Sequence, residues 1–236
     1  MDINRKLASE LGVLPKQVDA AVKLIDEGNT IPFIARYRKE LHGTMDDTSL
    51  RTLEERLQYL RGLEERREAV KKSIDEQGKL TDELAAAIDS AKTLAEVEDL
   101  YRPYKQKRRT RATMAKEKGL EPLAALLFAQ ERDCPRPEEA ARDFVDPEKG
   151  VETVEDALQG ASDIIAEQIS DDAAIRKSLR ALISRQGQLV SRAATEDDSV
   201  YRLYYDFTQS VARLQGHQVL AINRGEKEGI LKVSIT

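Results

Sequence analysis

The residues best suited to binding chemistry crowd into one stretch of this 236-residue chain: Tyr101, Arg102, Pro103, Tyr104, Lys105, Gln106, Lys107, Arg108, Arg109, Thr110 and Arg111. Between positions 102 and 118 stand eight basic residues and one acid, Glu117, a local charge of +7 in a protein whose net charge is −5. The rest of the chain therefore carries −12, which concentrates positive potential at one place. Arginine suits phosphate because its planar fork donates two hydrogen bonds at once. Tyr101 and Tyr104 flank the start, where an aromatic ring can stack on an unpaired base. Charge alone reads no base sequence, so the expected contact is with RNA or DNA backbone, non-specific and salt-sensitive. The candidate nucleic-acid-binding residues are Arg102, Tyr104, Lys105, Lys107, Arg108, Arg109 and Arg111. The competing reading is an ordered loop whose arginines pair with some of the 43 acids of the chain or meet a protein partner. Arg176, Lys177, Arg180 and Arg185 form a weaker basic group, with no acid between 173 and 194.

Other chemistries find little to work with. A single cysteine, Cys134, excludes an internal disulfide and a multi-cysteine metal cluster. Two distant histidines, His42 and His217, leave a zinc site to be completed by carboxylates at no supporting spacing. The chain contains no G-x-G-x-x-G, G-x-x-x-x-G-K-[ST] or G-x-S-x-G string. No catalytic residue, metal site or cofactor is expected, and the protein is expected not to be an enzyme. No run approaches the ~20 apolar residues that span a bilayer, and the N-terminus lacks a signal-like apolar segment, so a cytoplasmic protein with no membrane partner is expected.

The elements that must position the basic segment read as helices. Asp2 caps a first helix with Ile3, Leu7 and Leu11 on one side; Gly12 ends it, and Pro15 opens a second with Val18, Val22 and Ile25. This helix-turn-helix pattern places Lys16, Gln17, Asp19, Ala20 and Lys23 in a major groove on one reading. On the other it is a packed corner, favoured because Asp19, Asp26 and Glu27 would meet phosphate. Pro32 then starts a short helix whose expected apolar side is Phe33, Ile34, Tyr37 and Leu41, with Arg36, Arg38 and Lys39 wet.

Leu50, Leu53, Leu57, Leu60, Leu63, Val70 and Ile74 mark one face of a long helix over about 47–76, interrupted by Arg67. With a second helix from Thr81 it forms a charged hairpin. Further helices are expected from Thr93, Glu121, Pro137, Thr153 and Asp171 or Asp172, the last with Ile175, Leu179, Leu182 and Ile183 inward. The fold class is all-α, with a short β-containing segment near the C-terminus. The expected domains are a helical 1–188 and a mixed 189–236, in which 218–222 and 230–235 read as the strands of a hairpin. The chain stops inside a strand-like run, so a longer parent protein is expected.

Six strings resemble one known family: 28–40 (GNTIPFIARYRKE), 50–61 (LRTLEERLQYLR), 97–105 (VEDLYRPYK), 107–113 (KRRTRAT), 118–123 (KGLEPL) and 219–229 (VLAINRGEKEG). In order and over nearly the whole chain, they resemble the N-terminal region of Tex, the bacterial transcription accessory proteins, themselves similar to a eukaryotic elongation factor and histone chaperone. The resemblance implies a mostly helical module that binds nucleic acid and influences transcription. It also implies later domains: an RNase-H-like fold without nuclease activity, helix-hairpin-helix elements, and an S1 domain carrying the main nucleic-acid binding. The alternative is a scaffold that docks on the transcription machinery, RNA polymerase or its associated factors, through the charged hairpin of 47–91, with no nucleic-acid contact of its own.

Overall fold

Short-range signals set the first elements. The Asp2 carboxylate accepts the Arg5 backbone N–H and starts α1 (Ile3–Leu11); Gly12, at φ 66°, ends it with its N–H on the Ala8 carbonyl. Only glycine takes that left-handed turn without strain. Pro15 begins α2 (Pro15–Asp26), and α3 (Ile31–Tyr37), α4 (Lys39–His42) and α5 (Asp47–Asp75) follow. Then come α6 (Asp82–Ser90), capped by Thr81, and α7 (Leu94–Tyr101), capped by Thr93. The computed structural model describes every residue except Met1, Thr44, Lys107, Asp133, Glu196 and Asp197. The chain divides into two units, 1–104 and 105–236.

In the first unit the 29-residue α5 is the spine. Its Leu50, Leu53, Leu57, Leu60, Leu63, Val70 and Ile74 are all buried in a core shared with Leu7, Val18, Val22, Ile34, Ile88 and Val97. Spacings of three and four keep these side chains on one side of a 3.6-residue helix. Arg67 lies in the same buried row, bonding the Ala91 carbonyl and, at 2.7 Å, the Glu64 carboxylate.

The first two helices form a corner, two of whose acids are engaged by α5: Arg56 grips Glu10 at 2.6 and 3.0 Å, and Arg61 grips Asp26 at 2.7 and 2.8 Å. Those arginine hydrogen bonds hold both carboxyls below their ordinary values, against an opposing burial effect. A depressed folded-state pKa contributes stability above the unfolded value and loses it as pH falls through the folded one. Stability is therefore expected to drop as pH falls below about 4.5. Both pairs are a third or more exposed, so each contributes only a few tenths of a kcal/mol. Thermal midpoints across pH should show this drop, and the double variant Arg56→Met/Arg61→Met should flatten it.

The second unit begins with α8 (Arg111–Glu117), α9 (Glu121–Ala129), α10 (Pro137–Arg142) and α11 (Val154–Asp171). Its core is built largely of small residues, Ala112, Ala115, Ala124, Ala140, Ala141, Ala157 and Ala161, around Leu120, Leu123 and Val151. Small side chains let helices pack closely. At Gly160 an added Cβ would lie 2.3 Å from Leu120 Cδ1 and 3.3 Å from Ala115 Cβ, so the buried Leu120 side chain must shift to admit it. Gly160→Ala regains about 1 kcal/mol of helix propensity, which roughly offsets its crowding. Gly160→Val adds volume without that gain and is expected to cost about 2–3 kcal/mol by chemical denaturation.

After α12 (Ala173–Gln186) come β1 (Gln188–Ala193), β2 (Asp206–Ser210), α13 (Gly216–Lys227) and β3 (Leu231–Ile235). The antiparallel sheet has the order β2-β1-β3, with Val190 opposite Thr208 on one side and Ser234 on the other.

The fold is all-α with a small C-terminal sheet, as expected, and three local readings need correction. The run 218–222 is helical: Gln218 Oε1 accepts the Gln215 N–H at 2.9 Å at the start of α13, and β3 pairs with β1. A five-residue apolar run does not distinguish strand from buried helix, and here Ile222 and Gly225 face inward at helical spacing. In α3 the buried residues are Ile31 and Ile34, whereas Phe33 (36%) and Tyr37 (56%), and Leu41 (48%) in α4, are exposed. In α12 nothing is buried: Ile175, Leu179, Leu182 and Ile183 are 38–50% exposed. Periodicity locates an apolar face, and burial needs something packed against it.

Candidate nucleic-acid interface

The basic segment leaves α7 through a single 3-10 turn, Arg102–Tyr104, where Pro103 cannot donate an N–H to continue the helix. Tyr101 and Tyr104 pack partly buried against the core of the first unit. The Tyr101 hydroxyl lies 3.0 Å from Ser73 Oγ and the Arg66 guanidinium sits 5.4 Å from its ring, while the Tyr104 carbonyl accepts from Gln77 Nε2 at 3.0 Å. These rings anchor the turn. Arg102 is exposed.

In the second unit Lys105, Arg108, Arg109 and Arg111 are all exposed; Lys107 lies outside the described residues. Thr110 fixes where the loop ends. Its hydroxyl accepts the Thr113 N–H at 3.1 Å and Thr113 Oγ1 accepts the Thr110 N–H at 2.7 Å, so Arg111 becomes the first residue of α8. The internal ties of the arginines are loose. Arg109 meets Glu117 at 3.3 Å with both side chains more than 60% exposed, and Arg111, 80% exposed, reaches Asp163 at 3.7 Å. Such pairs contribute about 0–1 kcal/mol and are screened by salt. Among the described residues Lys105 and Arg108 take part in no ion pair. Lys116 and Lys118 are held more firmly, by Glu121 at 3.0 Å and by the Gly150 carbonyl at 2.7 Å. In the second unit Lys105, Arg108, Arg109 and Arg111 are thus weakly committed cations at and before the start of α8.

The second basic group lies on α12, where Arg176 donates to the Ser170 carbonyl and Arg185 to the Ala181 carbonyl. A shallow groove of about 380 Å³ in the second unit is lined by Val200, Tyr201, His217, Leu220, Ala221 and Arg224. Sequence reasoning passed over one surface, the Phe33 and Tyr37 rings; the signal available was two aromatics four apart among arginines.

Comparison with known proteins bears on the whole chain. A model described as Tex-like protein N-terminal domain matches residues 1–75, and one described as Tex central region-like matches 133–236. The chain belongs to the Tex family. It is 49% identical over 98% of its length to Protein YhgF of Escherichia coli, covering 30% of that protein. It is 44% identical over its full length to the transcriptional accessory protein Tex of Neisseria gonorrhoeae, covering 31%. At 31% identity, over 99% of its length, it resembles the S1 RNA-binding domain-containing protein 1 of Pongo abelii, covering 24%. The chain thus spans about a third or less of the length of these relatives. Among its described residues no helix is long and apolar enough to cross a membrane.

Proposed function

We propose that this Tex module is a non-enzymatic, cytoplasmic part of a transcription accessory protein that lends non-specific phosphate contact to RNA or DNA through its basic segment. The observation that carries the reading is the exposure of Arg108, Arg109 and Arg111, the last two in ion pairs too weak to compete with a polyanion. Relatives named for transcription and for an S1 RNA-binding domain support it. The test is fluorescence anisotropy of the chain with labelled RNA, single-stranded DNA and duplex DNA across a salt series. About five phosphate contacts predict a log–log slope of roughly −3 to −5. A flat slope, or no binding at low salt, overturns the reading.

A protein-docking scaffold is the second reading. The apolar stripe of the long hairpin is spent on its own core, so docking there would rely on charge alone. The observation favouring a scaffold is α12, a 14-residue helix with no buried residue. A helix this short is marginal in water without a packed face. Binding partners retained by a chain lacking the arginines of 108–111 would support this reading.

A further inference from the structure

On the first unit, α3 holds two aromatic rings in the open. Phe33 and Tyr37 stand four residues apart, hence on one side of the helix, with centroids 5.3 Å apart and planes at 47°. The backbone beneath them is fixed from the other side. Ile31 and Ile34 are buried, the ring of fully buried His42 bonds the Ile34 carbonyl at 3.1 Å, and Gln17 bonds the His42 carbonyl at 3.1 Å. Cations frame the rings: the Arg36 guanidinium lies 6.0 Å from the Tyr37 centroid and that of Arg38 lies 5.4 Å from Phe33. Over 36–40 there are three basic residues, Arg36, Arg38 and Lys39, against one acid, Glu40. Among the described residues none of the three is in an ion pair.

We propose that Phe33 and Tyr37, framed by Arg36, Arg38 and Lys39, form a stacking site for unpaired bases of single-stranded nucleic acid. The proposal rests on the nucleic-acid reading above and uses different residues. Every base has a π-face, so an exposed rigid ring accepts any of them, and the cations meet the flanking phosphates. Aromatic residues and arginine also mark protein interfaces. Here the excess of cations, with two arginines already against the rings, favours a polyanion with flat faces. An i,i+4 aromatic pair supports its helix by only a few tenths of a kcal/mol, too little to account for two exposed rings.

The experiment uses the 236-residue chain with labelled oligo(dT) and oligo(U) of about 12 nucleotides, and a duplex of similar length. Phe33→Ala/Tyr37→Ala, with its helical circular dichroism retained, is expected to bind the single strands about 10- to 100-fold more weakly. Its salt slope should be unchanged, because no charge was removed, and its duplex affinity should stay within about twofold. A single strand carrying 2-aminopurine should be quenched by the unaltered chain and by Tyr37→Trp. Single-strand affinity unaffected by the double variant overturns the proposal, and so does an equal loss on duplex. If the double variant misfolds, the 2-aminopurine signal decides: absence of quenching on binding overturns it. No binding by the unaltered chain overturns both readings. Binding that needs the rings and survives Arg108→Glu/Arg109→Glu/Arg111→Glu overturns the basic-segment assignment alone.

Discussion

A chain carrying Arg108→Glu, Arg109→Glu and Arg111→Glu is expected to lose about two orders of magnitude of nucleic-acid affinity at roughly 0.1 M salt. The magnitude follows from counterion release: each lost phosphate contact removes about 0.7–0.9 of the log–log slope, and a similar number of decades of affinity at that salt. Three losses should flatten the slope by about 2 to 3, before any repulsion from the new carboxylates. Folding should be nearly unaffected. Among the described ion pairs the substitutions break Arg109–Glu117, exposed on both sides at 3.3 Å, and Arg111–Asp163, at 3.7 Å between an exposed arginine and a half-buried carboxylate. Anisotropy across salt, paired with thermal denaturation, separates the two effects. Retained affinity in a folded variant would remove the segment from the binding surface.

The second large effect is expected at Arg67. Its side chain is 4% exposed, and its guanidinium bridges the Glu64 carboxylate and the Ala91 carbonyl beside the end of α6. Arg67→Ala removes the guanidinium from that carbonyl and from the Glu64 carboxylate and opens a cavity in the α5 stripe. A cost of about 3–5 kcal/mol is expected by urea denaturation. Arg67→Met keeps most of the volume and is expected to cost about 1–3 kcal/mol, the guanidinium bond to that carbonyl being the main loss. Equal costs for the two substitutions would show that volume is irrelevant at this site. A negligible cost for alanine would show that the buried bridge contributes nothing.

Arg67 also shows where sequence reasoning stops. Between Leu63 and Val70 the heptad-like row asks for an apolar residue, and the chain has a cation there. Sequence alone marks this as an interruption. In the fold it is a continuation, because the turn after α6 brings a backbone carbonyl to the guanidinium. Nothing within a helical turn of Arg67 encodes Ala91. The run 218–222 fails in the opposite direction: its composition suits either structure, and the packing of Gly225 against Leu231 and Tyr201 selects the helix.

For the candidate interface the sequence supplied the charge cluster and Pro103, which cannot continue a helix; the Thr110 cap that starts α8 came from the structure. Whether each arginine is spent inside the molecule depends on where Glu117 and Asp163 fall, and the second of these arrives from a helix some fifty residues on. The same division holds across the protein. Caps, glycine stops and three-four apolar spacing are local, so the amino-acid order determined most of the helices, the long α5 spine and the placing of a sheet near the C-terminus. Burial is a relation between elements distant in the chain. Only the tertiary structure therefore decided that the α5 stripe is covered, that Tyr104 anchors its turn against a core, and that Phe33, Tyr37 and the apolar face of α12 stay open.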